Sequence, residues 1–143
     1  MKKYIFILLL AIAGSGAIYC TNSSQVQNDA VNAQEGTIAK NIAAEPFNKL
    51  IKSKQDALIL DVRRRTEFAD GHIENSKNID FYDAEFKTDL AKLDKNKPVL
   101  VYCRSGRRSG IAMETMREMG FKEIYNLQGG ILGWQEAGYD IEK

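Results

Sequence analysis

Two short runs without a single charge, Ala57-Leu58-Ile59-Leu60 and Pro98-Val99-Leu100-Val101-Tyr102, set the strongest limit on how this chain folds. A strand with one face in water alternates apolar and polar residues, whereas a strand that is apolar throughout is covered on both faces. The stretches around these runs carry helical spacing. Phe47, Leu50 and Ile51 fall at i, i+3 and i+4 from a start near Pro46, a favoured first-turn residue. Tyr82, Phe86, Leu90 and Leu93 step by four, four and three, which predicts a long helix over residues 83–93. Ala112, Met113, Met116 and Met119 form a further face, with Ser109 placed as its N-cap and Gly120 as its stop. Ile124-Tyr125-Asn126 reads as a short strand, and residues 131–137 as a short last helix behind Gly129-Gly130. Buried strands separated by amphipathic helices predict an α/β fold, a mostly parallel sheet covered on both faces. Ligands of such sheets bind beyond the carboxyl ends of the strands, which points to the segment just after Tyr102.

Composition removes several classes. At 143 residues, 44% apolar and 27% charged, the chain has the balance of one globular domain rather than of a disordered, collagen-like or multi-span membrane protein. Lys and Arg number 20 against 19 Asp and Glu, so nothing electrostatic favours a nucleic-acid partner. One His and two Cys exclude a four-ligand Cys/His zinc site within the chain, and a disulfide-rich scaffold with it. No metal or cofactor is expected.

The N-terminus reads as an address. Lys2 and Lys3 precede an uncharged run from Tyr4 to Tyr19 that ends in small residues, the pattern of an export signal over residues 1–20. Its 16 residues fall short of the roughly 20 that span a bilayer comfortably, which ranks an uncleaved anchor behind a cleaved signal. Cys20, followed by Thr21-Asn22-Ser23-Ser24-Gln25, resembles the junction of a bacterial lipoprotein, which makes Cys20 a lipidation candidate and membrane attachment an expectation. The competing reading is cleavage after Ala17, at Ser15-Gly16-Ala17. Residues 21–36 lack apolar periodicity and read as a flexible tether, leaving residues 37–143 as the folded domain.

The chemistry concentrates after the clearest strand, in Cys103-Arg104-Ser105-Gly106-Arg107-Arg108. A short loop between a strand end and a helix start turns backbone N–H groups into an anion-binding concavity, and the helix dipole adds partial positive charge there. Gly106 allows backbone angles that a β-carbon resists. Three arginines within five positions add cationic charge. All these favour a thiolate, so Cys103 is expected to be nucleophilic near neutral pH. A free cysteine is otherwise most often a small buried hydrophobe, but burial alone does not call for three cations.

Val101-Tyr102-Cys103-Arg104-Ser105-Gly106-Arg107-Arg108-Ser109 resembles the active-site loop of single-domain rhodaneses, the sulfurtransferases. Leu60-Asp61-Val62-Arg63, Glu67-Phe68, Gly71-His72-Ile73 and Asn78-Ile79 resemble a first family signature; Gly120-Phe121, Tyr125-Asn126-Leu127, Gly129-Gly130-Ile131 and Trp134 resemble a C-terminal one. The resemblance spans about residues 38–141. It implies a five-stranded parallel sheet flanked by helices on both faces, with the cysteine cradled by loop amides. It also implies a two-step reaction. Cys103 takes the outer sulfur of a donor such as thiosulfate as a persulfide, then hands it to cyanide or a thiol.

Arg104, Ser105, Gly106, Arg107 and Arg108 are then the candidate donor-binding residues, with Arg108 expected to face inward. Asp61, Arg63 and Ser109 are candidates for loop support, Asp61 by pairing with a loop arginine or holding the loop backbone. Arg64 and Arg65 are assigned to the surface. His72, the only histidine, belongs to a structural turn in the family. Trp134, Phe121 and the stripe of Met113, Met116 and Met119 are assigned to the core. Related cell-cycle-type phosphatases and arsenate reductases need five residues between cysteine and arginine, but the sixth position after Cys103 is Ser109. A persulfide carrier and a non-catalytic interaction module also compete with the enzyme reading, since a fold alone does not guarantee activity. Oligomeric state has no signal in the sequence. Intact mass of the exported protein is expected to show a lipid-modified N-terminal Cys20; a chain beginning at Ile18 would instead establish cleavage after Ala17.

Overall fold

The computed structural model describes residues 36–143; the residues read as export signal and tether, Cys20 among them, lie outside the described ones up to residue 35. In chain order the elements are β1 (Ile38–Ile42), α1 (Ala44–Ser53), β2 (Leu58–Asp61), α2 (Arg65–Ala69), β3 (Lys77–Asn78), α3 (Phe86–Ala91), β4 (Val99–Tyr102), α4 (Arg107–Glu118), β5 (Glu123–Leu127) and α5 (Gly130–Glu136). The five strands form one sheet in the order β1-β5-β4-β2-β3, every pair parallel. The expected five-stranded parallel sheet is present, with β4, fully buried along its length, at the centre.

Side chains alternate across a strand, and that parity divides the core. Val99 and Val101 of β4, with Leu60 and Ile124 beside them, pack against Phe86, Leu90, Ala112, Met113, Met116 and Phe121 on one face. Leu100, Tyr102, Ile59 and Leu127 meet Phe47, Ile131 and Trp134 on the other. Cys103, two residues past Val101, falls on the first face and packs in its cluster. Position along β4 thus decides which helix layer the thiol meets: the layer of α4.

Two expected elements differ from those observed. The helix expected over residues 83–93 is only Phe86–Ala91. Upstream, the Asp80 carboxylate accepts the Tyr82 N–H at 2.9 Å and that of Asp83 accepts the Glu85 N–H at 3.2 Å. Such side-chain bonds offer the backbone an alternative to the helix, so residues 80–85 form turns and Tyr82 stands 58% exposed. Ser109 is not the cap of α4. Gly106 occupies that position in a left-handed conformation (φ +91°), which carries the chain from loop to helix earlier than expected. Ser109 becomes the third helical residue and is fully buried.

Gly129 and Gly130 open α5 with φ of +80° and +60°. A β-carbon on Gly130 would overlap the backbone of Cys103 and Arg104. Gly130→Ala is therefore expected to cost at least about 3 kcal/mol in urea unfolding, combining left-handed strain with a backbone clash that no rotamer relieves.

Candidate active site

The site is built by sending the carbonyls of one loop away from its amides. Beyond β4, the Cys103 carbonyl accepts the Ile131 N–H at 2.9 Å and the Arg104 carbonyl accepts the Leu132 N–H at 3.2 Å, both from the first turn of α5. The Gly106 N–H points the other way and donates to Cys103 Sγ at 3.2 Å. The loop is pressed so closely onto the β5–α5 turn that a β-carbon on Gly106 would meet Leu127 O at 3.1 Å and Gly129 N at 3.2 Å. Glycine is required there by space as well as by φ.

Cys103 is 1% exposed. Burial pushes its pKa up, but the Ser109 hydroxyl and the amides of Ser109, Ser105 and Gly106 pull it further down, so the thiol lies below its ordinary value. Ser109 Oγ is buried without a hydrogen-bond partner of ordinary geometry, beside a sulfur that becomes a strong acceptor once ionised. Ser105, Gly106 and Ser109 thus all converge on the thiol, Ser109 as a donor from inside the helix rather than as its cap.

The three loop arginines separate. Arg104 and Arg107 are exposed and form no side-chain hydrogen bond or ion pair among the described residues. Arg104 lines a groove with Arg63, Glu67, Leu132 and Gln135. Arg108 turns inward, as expected, and its charge is felt at the sulfur. Its guanidinium, however, is committed to a bidentate pair with Glu67, at 2.8 and 2.9 Å. That pair holds the Glu67 carboxyl down at about 2. Tyr82 lies 4.5 Å from the Arg64 guanidinium and 5.7 Å from that of Arg108, a cation–π stack over the pair. Of the three loop cations only Arg108 turns inward, so amides and one hydroxyl supply most of the bias and one partly neutralised arginine the rest.

Asp61 takes no loop arginine either. Its partner is Arg63, through Nη2 to Oδ2 at 2.6 Å and the backbone N–H to Oδ1 at 2.8 Å. Arg63 also donates to Gly71 O at 2.7 Å, and Asn78 Nδ2 donates to the carbonyls of Asp61 and Arg63. The carboxylate and guanidinium are two residues apart in sequence, so the pair stiffens the end of β2 rather than gripping the loop. Breaking a buried pair of this kind from one side typically costs about 3–5 kcal/mol. Arg64 and Arg65 are exposed, as expected. His72 stacks on Phe68 at 3.9 Å and exchanges two backbone bonds of 2.8 Å with Glu142, a structural position. Trp134, Phe121, Met113 and Met116 are buried. Among the described residues no group of His, Cys, Asp or Glu gathers as metal ligands would.

Sequence reasoning did not give Glu67, Tyr82 or Asn126 a role at the site. Glu67 and Arg108 are 41 positions apart, beyond any local pattern.

A family model for the rhodanese-like domain matches residues 43–137. The chain is a member of the rhodanese-like family. Among relatives, it is 39% identical over 87 residues to the thiosulfate sulfurtransferase GlpE of Coxiella burnetii, an alignment covering 61% of this chain and 78% of that one. It is 29% identical over 100 residues to a sulfurtransferase of Allochromatium vinosum, covering 70% and 92%. In structure it resembles a rhodanese-related protein of Thermoplasma volcanium, with a TM-score of 0.63, 32% identity, and 72% and 97% of the two chains covered. The five-stranded parallel sheet agrees with that membership.

The Glu67–Arg108 pair makes stability depend on pH. The carboxylate's pKa is lowered on folding, so its stabilisation is full above the unfolded value near 4.5 and is lost as pH falls toward about 2. Glu67 is part-exposed, which discounts the energy to about 1 kcal/mol. Glu67→Gln is expected to be less stable than wild type by about that much at pH 7, with the gap closing between pH 4.5 and 2 in urea titrations.

Proposed function

We propose that this protein moves sulfane sulfur from a thiosulfate-type donor to a thiophilic acceptor through a persulfide on Cys103. The Gly106 N–H on Sγ, backed by Ser109 and the neighbouring amides, is the observation that supports this reading most directly. The thiolate attacks the outer sulfur of thiosulfate. A new S–S bond forms, the donor's S–S bond breaks, and sulfite leaves with the bonding electron pair. An acceptor then attacks the outer persulfide sulfur and the Cys103 thiolate departs, so cyanide becomes thiocyanate and a thiol becomes a persulfide. The same amides that favour the thiolate face the anion in both steps, and fixed dipoles need no reorganisation as charge moves along the S–S axis.

Cys103 is 1% exposed, which favours a slender donor that presents its outermost sulfur end-on. Arg104 and Arg107, exposed at the rim, are the cations free to draw in a dianion. A phosphate-gripping loop would need an arginine where Ser109 is buried, which disfavours phosphatase chemistry. The N-terminal segment supports a location outside the cytoplasm, with Cys20 as the site of lipid attachment.

Thiosulfate is expected to add one sulfur atom to the wild-type protein by intact mass, and cyanide to remove it with release of thiocyanate. Cys103→Ser is expected to keep the fold, by circular dichroism, and lose both steps. A persulfide that forms but is released only to a protein thiol would assign a carrier; no sulfur gain would assign a binding module.

A further inference from the structure

One buried side chain grips the residue that grips the sulfur. Asn126 of β5 is 4% exposed and faces Asn41 of β1 directly across the parallel register. Its Nδ2 donates twice, to Gly106 O at 3.1 Å and to Asn41 Oδ1 at 2.7 Å. The reverse orientation of the amide would set its oxygen against two others, so the network fixes which way it points. The cost is visible: Asn126 Oδ1 is left buried without a partner. A buried acceptor left unmet is unfavourable and calls for an explanation in what the rest of the group achieves.

What it achieves is at Gly106. That residue stands at φ +91°, its N–H on Cys103 Sγ. Its carbonyl receives the Gly110 N–H at 3.0 Å, the first turn of α4, and the Asn126 amide as a second donor. A glycine free to explore both halves of backbone space is thereby held in one state.

We propose that Asn126, braced by Asn41 across the β1–β5 pair, is a positioning residue that sets the Gly106 amide on Cys103 Sγ. The role rests on Cys103 being the nucleophile, but it acts on the thiolate itself, before any donor arrives. The charged groups that bear on the sulfur, Arg108 and its partner Glu67, belong to α4 and α2 and are untouched by changes at residues 41 and 126.

The test is the pH dependence of Cys103 alkylation by iodoacetamide on the folded protein at physiological ionic strength, with no sulfur donor present, so that a failure of this role is separable from a failure of sulfur transfer. Asn126→Leu keeps the volume and removes both donors. It is expected to raise the thiolate pKa by about one unit, moving the whole alkylation profile toward alkaline pH by that amount, with a loss of rate approaching tenfold on its acid limb. Asn41→Ala removes only the brace and is expected to move the profile the same way by less; Asn41→Gln keeps an uncharged acceptor oxygen for Nδ2 and is expected to stay nearer the wild-type profile. An unshifted profile in folded Asn126→Leu overturns the proposal. Where that variant does not fold, Asn41→Ala and Asn41→Gln decide: separation of their profiles supports the role, and coincidence overturns it.

Discussion

The docking of two loop carbonyls on the start of α5 is the contact on which the rest of this site depends. Every peptide unit has an acceptor and a donor pointing in opposite directions, so anchoring the carbonyls of Cys103 and Arg104 on the Ile131 and Leu132 amides leaves the loop's donors free to face the sulfur. The anchoring needs close approach. Gly130 supplies it by having no side chain at the point where the backbones meet. A helix N-terminus is commonly thought of as holding an anion by its own amides. Here the amides of α5 hold a loop, and the loop holds the anion.

That arrangement separates attraction from stabilisation. Exposed guanidiniums act through solvent and are screened within about 8–10 Å at ordinary salt. They suit the recruitment of a charged donor and contribute little to holding charge on a buried atom. Amides and a hydroxyl within hydrogen-bond reach act in a low dielectric and outweigh the penalty of burial. Arg108 sits between these roles. Its charge reaches the sulfur, yet Glu67 and the Tyr82 ring hold it in place, so it behaves as a fixed wall and not as a free hand for substrate.

Uncharged strands and a cysteine between a strand and a helix are local patterns, and β2, β4, the loop and α4 were legible from them. Cys103 and Gly106 came from the same short segment, and the inward turn of Arg108 from what the loop's resemblance to the rhodaneses implied. Other features depended on competition that apolar spacing does not register. Tyr82 has the right period to extend α3, but the carboxylates of Asp80 and Asp83 capture the backbone first. Ser109 has the right chemistry for a cap, but Gly106 turns the chain earlier and sends the hydroxyl inward. β3, two residues long, is too short for any periodicity. Partners remote in sequence were illegible altogether: Glu67 for Arg108, and Asn41, 85 positions away, for Asn126.

The pairing of β1 with β5 carries a consequence for when the thiol becomes reactive. It joins the first strand of the described domain to its last, the kind of high-separation contact that forms late because the intervening chain must be closed first. The loop's anchor on α5 lies later still in the chain than β5. Until that sheet closes the loop has neither its anchor nor its amide cradle, so the Cys103 thiol keeps the ordinary cysteine pKa, and the lowered one belongs to the completed fold alone.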